Sequence, residues 1–121
     1  MKSVLIVEDD KWLAEHFARV IEMAGYKTAV SYHAWAAIDA IDDFNPDVII
    51  LDVLLTGNTA FTLLHELQSY GDTGKIPVIL CTNLASELKF ADLEMYGVRR
   101  MLDKTTMVPD DLVAAVKSVL L

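Results

Sequence analysis

The chain has 121 residues, a single cysteine, and 18 acids against 10 bases for a formal net charge of −8. That length suits one domain with a real core, the lone thiol excludes an internal disulfide, and the acidic balance argues against nonspecific binding to nucleic acid or to an anionic membrane surface. Apolar residues make up 54% of the sequence, but no apolar run approaches the roughly 20 residues that span a bilayer.

The first strand is predicted over 3–7, where Val4-Leu5-Ile6-Val7 runs into Glu8-Asp9-Asp10. Met1-Lys2-Ser3 leads straight into it and leaves no room for a secretory signal, so a reducing cytoplasm is expected. An apolar run without polar alternation belongs to a strand buried on both faces of a parallel sheet. Leu13, Phe17, Val20, Ile21 and Ala24 then recur at helical spacing, and Gly25 marks the stop. Asp10 is read as the cap of this helix, with a third acid in a metal shell as the alternative. Trp12 and His16 lie four apart, away from the Leu13, Phe17 and Val20 stripe, and read as a partly exposed pair. The second strand is placed over 27–31. A helix over 34–44 follows through Ala37, Ile38 and Ile41, and Asn45-Pro46 breaks it. Trp35 at its start is assigned to packing.

The third strand, Val48-Ile49-Ile50-Leu51, ends in Asp52. Phe61, Leu64 and Leu67 give a third helix, ended by a turn between Gly71 and Gly74. The fourth strand covers 78–81 and is closed by Thr82; Cys81 inside it reads as a small core residue. Leu88, Ala91 and Met95 suggest a shorter fourth helix closed by Gly97. The fifth strand covers 98–102, with Asp103 as a solvated loop acid and Lys104 just beyond. Leu112, Val113, Val116, Val119 and Leu120 form the last helix, with Pro109 near its start. His33 and His65 show no ligand spacing. Met95, Met101 and Met107 are expected in core packing, with an adaptable binding face as the alternative.

Strand and helix thus alternate five times. Right-handed crossovers put helices on both faces of a parallel sheet. The fold expected is α/β and flavodoxin-like, with strand order 2-1-3-4-5, over one domain spanning 1–121. Its switch point lies between the first and third strands, where open α/β sheets bind ligands. Those are the two strands that end in acids.

Several anions brought to one spot are costly unless a cation joins them. Mg²⁺ takes oxygen ligands and commonly uses one or two carboxylates with a phosphate. Glu8, Asp9 and Asp52 can supply the protein share. A carboxylate beside the metal can also act as nucleophile toward a phosphoryl group. Such transfer needs in-line positioning and neutralised oxygens. Thr82 offers a hydroxyl at the same edge and Lys104 an ammonium.

At these residues the chain resembles the receiver domain of two-component response regulators, over its whole length. The likeness rests on the acid pair in Val7-Glu8-Asp9-Asp10, on Asp52 in Ile50-Leu51-Asp52-Val53, on Thr82 in Ile79-Leu80-Cys81-Thr82, and on Lys104 in Met101-Leu102-Asp103-Lys104. The resemblance implies that Asp52 accepts a phosphoryl group from a histidine kinase or a histidine phosphotransfer domain. It implies that Glu8, Asp9, Asp52 and the backbone carbonyl of Leu54 hold Mg²⁺. It also implies that Thr82 bonds the phosphoryl oxygen and shifts, that Lys104 pairs with the phosphate, and that Met101 stands at the switch position. A downstream target or output domain is the implied recipient, and homodimers are a common arrangement. Beside this family, the Trp12 and His16 pair gains a second reading, as part of the surface that docks the phosphohistidine donor.

Several positions depart from the family's usual pattern. Thr56 and Ala60 stand where proline and glycine are usual, although Gly57 remains. Asn83 replaces a small residue after the switch threonine, Met101 an aromatic, and Thr105 a proline after the lysine. A cis bond before Thr105 is disfavoured by about 2.5–4 kcal/mol. The expectation is a phosphorylatable Asp52 with a weak or unconventional conformational response. The alternative is a receiver-like interaction domain whose state ignores phosphate. A metal-dependent phosphatase on a related fold would need an acid two residues past Asp52, and Leu54 stands there.

Overall fold

The computed structural model of the chain describes residues 1–52, 60–69, 73–83 and 88–120, with every side chain in them except those of Ala34 and Ala60. Its elements run β1 (Ser3–Val7), α1 (Lys11–Met23), β2 (Lys27–Ser31), α2 (Ala34–Phe44), β3 (Val48–Leu51), α3 (Ala60–Gln68), β4 (Val78–Thr82), α4 (Phe90–Leu93), β5 (Val98–Asp103) and α5 (Pro109–Val119). Single 3-10 turns lie at Thr73–Lys75 and Glu94–Tyr96. The strands form a parallel sheet in the order β2-β1-β3-β4-β5, the flavodoxin-like order expected.

The unbroken apolar strands have a direct cause. Leu5 and Val7 of β1, Ile49 and Leu51 of β3, and Leu80 of β4 pack on the side of α2, α3 and α4. Val4 and Ile6, Val48 and Ile50, and Ile79 and Cys81 pack on the side of α1 and α5. Side chains alternate between faces along a strand, so a sheet covered twice needs apolar residues at every position. β1, β3 and β4 are accordingly buried throughout, whereas the edge strands β2 and β5 carry exposed Lys27, Arg99 and Arg100.

Local chemistry ends the helices. The Asp10 side chain accepts the Leu13 N–H at 3.1 Å and caps α1, as expected. Asn45 takes the left-handed conformation (φ 55°) that closes α2 before Pro46. Gly25 and Gly97 have φ of 100° and 85°, where a side chain would be strained. Pro109 opens α5, and the Asp111 carboxylate accepts the Val108 N–H at 2.9 Å.

Four expectations need correction. The buried stripe of α1 is Ala14, Phe17 and Ile21, with Leu13 and Val20 only flanking it. Small Ala14 lets the helix approach the sheet, and apolar spacing alone weights it too lightly. Trp35 is 67% exposed and stacks on His33 at 5.4 Å instead of packing inward. The fourth helix does not follow the expected stripe: Leu88 lies before it, half-buried against the core, while Ala91 and Met95 are exposed. α4 has four residues, its buried side chain is Leu93, and Met95 is 73% exposed. Of the three methionines expected in core packing, Met101 packs on the α2–α4 side and Met107 on the α1–α5 side, but Met95 does not pack inward. The expected turn at Gly71, and Thr56 and Gly57, lie outside the described residues.

The buried residues of α3 are Leu63, Leu64 and Leu67, and Phe61, expected on the same stripe as Leu64 and Leu67, lies at its margin. Leu64 is fully buried and Phe61 is 38% exposed. Leu64→Ala is expected to cost about 2–5 kcal/mol, and Phe61→Ala less than about 1 kcal/mol. Chemical denaturation of the two variants checks the orientation.

Candidate functional site

The strand register brings the acids together. Val7 lies beside Leu51 across the β1–β3 ladder, so the next residues, Glu8 and Asp52, emerge level at the carboxyl edge. Three backbone bonds extend the sheet past its formal ends. Glu8 N–H donates to Ser31 O (3.0 Å), Asp52 N–H to Val7 O (3.2 Å), and Lys104 N–H to Thr82 O (3.0 Å). Glu8, Asp52 and Lys104 are therefore held by their backbones before their side chains make any contact.

Glu8 and Asp52 are buried, Asp9 is half-buried, and one oxygen from each lies within 4.8 Å of the others. The Lys104 ammonium reaches into this group. It donates to Glu8 Oε1 in a short ion pair and to Asp52 Oδ2 at 3.0 Å, and its side chain is 11% exposed. Thr82 is fully buried at the end of β4. Glu8 Oε2 accepts the Asp10 N–H at 3.3 Å, so Asp10 supports the pocket through its backbone while its carboxylate serves the helix. The structure thus gathers Glu8, Asp9, Asp52 and Lys104. Met101 sits apart, half-buried among the α2–α4 side chains and next to Leu80 in the ladder. Leu54 lies outside the described residues.

The charges do not balance. Among the described residues, three carboxylates face one ammonium, a formal excess of two negative charges in a pocket where two of the acids are buried. Burial pushes the Glu8 carboxyl up, and the Lys104 ammonium offsets only part of that. Burial acts downward on Lys104, but its bonds to Glu8 and Asp52 outweigh it, so its pKa is raised and it stays charged. An oxygen-only donor set with a two-charge deficit fits a hard divalent cation such as Mg²⁺ better than a softer metal.

Two features escaped the sequence reading. Asp103 is the last residue of β5, and its Oδ1 accepts both the Thr105 N–H (2.9 Å) and the Thr105 hydroxyl (2.6 Å). The Asp-x-Thr spacing was the available signal, since such acids bond the backbone two residues on. Cys81 Sγ also lies 3.2 Å from Met107 Sδ, a contact across 26 residues with no local signature. A cleft of about 540 Å³ runs from the acids along α1 to the start of α5, past Trp12, His16, Asn83, Met107 and Pro109. Trp12, 75% exposed, stacks on His16 at 5.8 Å, as the pair reading expected.

The response regulator receiver domain model matches residues 4–117. The chain belongs to that family. It is 35% identical over 120 residues to the phosphate regulon transcriptional regulatory protein PhoB of Pseudomonas aeruginosa, covering 98% of this chain and 52% of that protein. It therefore spans about half the length of that relative. It is 29% identical to the polar-differentiation response regulator DivK of Brucella anthropi over 89% of this chain and 88% of DivK. Among solved structures, the receiver domain of Francisella response regulator 1452 superposes with a TM-score of 0.86 at 28% identity, covering 98% of this chain and 96% of that one. The chemotaxis response regulator CheY4 of Vibrio cholerae shares the fold, with a TM-score of 0.88 at 23% identity and 98% of each chain covered. The chain is thus a receiver domain of a two-component system, a regulatory module. Among the described residues, no helix is long and apolar enough to cross a membrane.

The receiver pocket yields two expectations. Without divalent metal, Asp52→Asn should stabilise the fold by about 1 kcal/mol, because an amide oxygen still accepts from Lys104 while carboxylate repulsion falls; thermal melting in chelator reads the sign. The Cys81 thiol is buried and pushed up to about 12, chiefly by desolvation. It should resist a disulfide reagent in the native protein and react only on unfolding, which a colorimetric thiol assay with and without denaturant shows.

Proposed function

We propose that this receiver domain accepts a phosphoryl group from a phosphohistidine onto Asp52, with Mg²⁺ held by Glu8, Asp9 and Asp52. The observation that carries the reading is the carboxylate trio with a two-charge excess, in which Asp52 also contacts a lysine. Mg²⁺, when bound, supplies neutralisation of the phosphoryl oxygens.

The chain's own residues do the rest. An Asp52 carboxylate oxygen attacks phosphorus, a P–O bond forms, and the P–N bond to the donor imidazole breaks. The bonding pair leaves with the imidazole nitrogen, which keeps the donor neutral once it takes up a proton. Asp52 is fixed by its backbone bond to Val7, so its approach is set by the sheet and not by a mobile loop. Lys104 already touches Asp52 Oδ2 and is placed to follow the negative charge onto the new phosphoryl oxygens. Thr82, at the end of the neighbouring strand, offers its hydroxyl to a phosphoryl oxygen. Burial of Glu8 and Asp52 strengthens each of these interactions relative to water.

The donor is a histidine kinase or a histidine phosphotransfer domain, and the recipient is an output domain or a separate target, with a homodimer as one possible form. Residues 1–121 act as one receiver unit in the cytoplasm. The outward signal is expected to be unconventional, because Met101 offers no hydroxyl and can repack in many ways as Thr82 shifts.

Treatment with Mg²⁺ and a small phosphoryl donor should add the mass of one phosphoryl group, and beryllofluoride should change Trp12 fluorescence beside the cleft. Asp52→Asn should abolish both. No mass gain in the wild type, or equal gain in the variant, would sink the acceptor assignment. Mass gain with unchanged amide resonances through α4 and β5 would instead favour a domain whose outward state ignores phosphate.

A further inference from the structure

Lys104 has a long, flexible side chain that must cross into a buried pocket. Its backbone follows the last residue of β5 and is bonded to Thr82 O at 3.0 Å. The next peptide bond, to Thr105, is trans, as are all those described. Because Thr105 is not a proline, the turn has no imide to stiffen it, and its geometry rests on hydrogen bonds.

Those bonds converge on Asp103. Its backbone carbonyl accepts the N–H groups of Thr106 (3.2 Å) and Met107 (2.9 Å). Its side-chain Oδ1 accepts the amide and the hydroxyl of Thr105 at 2.9 and 2.6 Å. Asp103 is thus bonded to each of the three residues after Lys104, and it lies beside Thr82 in the β4–β5 ladder. It stands outside the acid trio that could hold a metal. A further carboxylate near a pocket with two excess negative charges is unfavourable by charge alone. The Thr105 bonds supply the compensating role, and they hold the Asp103 carboxyl below its ordinary range.

We propose that Asp103 is a positioning residue, whose carboxylate clasps Thr105 and fixes the turn from which Lys104 reaches Glu8 and Asp52. The clasp acts through acceptor geometry and not through charge. It rests on the reading of Lys104 as the partner of the phosphorylated Asp52. It also predicts that Asn at 103, which keeps the acceptor oxygen, replaces Asp, whereas Ala does not.

The test is trace acetylation of the folded protein with acetic anhydride, read lysine by lysine by mass spectrometry. The wild type, Asp103→Asn, Asp103→Ala, Thr105→Ser and Thr105→Val are compared. Lys104 should react more slowly than exposed Lys11 in the wild type. Asp103→Ala and Thr105→Val should raise the Lys104 rate about fivefold, the scale of one lost hydrogen bond, with other lysines unchanged. Asp103→Asn and Thr105→Ser should stay within about twofold of wild type. Mg²⁺ affinity should not fall in Asp103→Ala, whereas general loosening of the pocket would lower it and speed several lysines together. Unchanged Lys104 labelling in both disruptive variants, or Asp103→Asn behaving as Asp103→Ala, overturns the proposal. Failure of the phosphoacceptor reading would show separately, as no mass gain in the wild type whatever the labelling pattern.

Discussion

A lysine shared by two buried carboxylates, with a third carboxylate beside them, sets the conditions for the rest of this receiver domain. Each of those groups loses hydration on folding, and one ammonium cannot neutralise three acids. The arrangement survives because the scaffold around it is stiff. β1, β3 and β4 are packed on both faces, and backbone bonds continue one residue beyond β1, β3 and β5. The core thus holds apart, at fixed positions, charges that would otherwise relax toward water. That same fixed excess is what would favour a divalent cation in the pocket.

The pocket also straddles the two apolar layers. Cys81 and Met107, one residue before Thr82 and three after Lys104, touch each other in the α1–α5 layer. Met101, three residues before Lys104, packs in the α2–α4 layer. A shift of Thr82 or Lys104 is therefore felt on both sides of the sheet, through different side chains. This follows from strand alternation, since neighbours along a strand must face opposite layers.

The sequence made the fold legible because its strands are short, wholly apolar and sharply bounded. All five strand positions and the strand order could be read from it, with β4 and β5 each one residue longer than expected. Glu8, Asp9, Asp52 and Lys104 were legible as a group because acids and a base at strand ends have few other places to go. Less legible were features that depend on packing volume or long-range contact. Ala14 replaces Leu13 at the centre of the α1 stripe because a small side chain allows close approach. Trp35 lies on the surface, where a neighbouring imidazole covers one ring face and nothing in the residue type announces it. α4 failed as a periodic pattern because four residues are too few to establish a period.

That short helix bears on how a change in the pocket could travel. α1 has 13 residues and buries three side chains, while α4 has four and buries one, Leu93. A four-residue helix gains almost nothing from backbone cooperativity, so its place is set by tertiary contacts alone. α4 contacts the 3-10 turn that follows it and β5, the edge strand that carries Met101 inward and Arg99 and Arg100 outward. The β4–β5 ladder is also the one with a register irregularity, between Val78 and Ile79. α4 is therefore held by fewer buried side chains than α1. Displacing it costs less than displacing α1, so a movement of Thr82 or Met101, were one to occur, would meet less resistance through α4 and β5. A flexible methionine at 101 would spread that movement over several packings, where a rigid ring would select between two. The departures from the usual receiver pattern thus stand at Asn83, Met101 and Thr105, around the pocket and not among Glu8, Asp9, Asp52, Thr82 and Lys104.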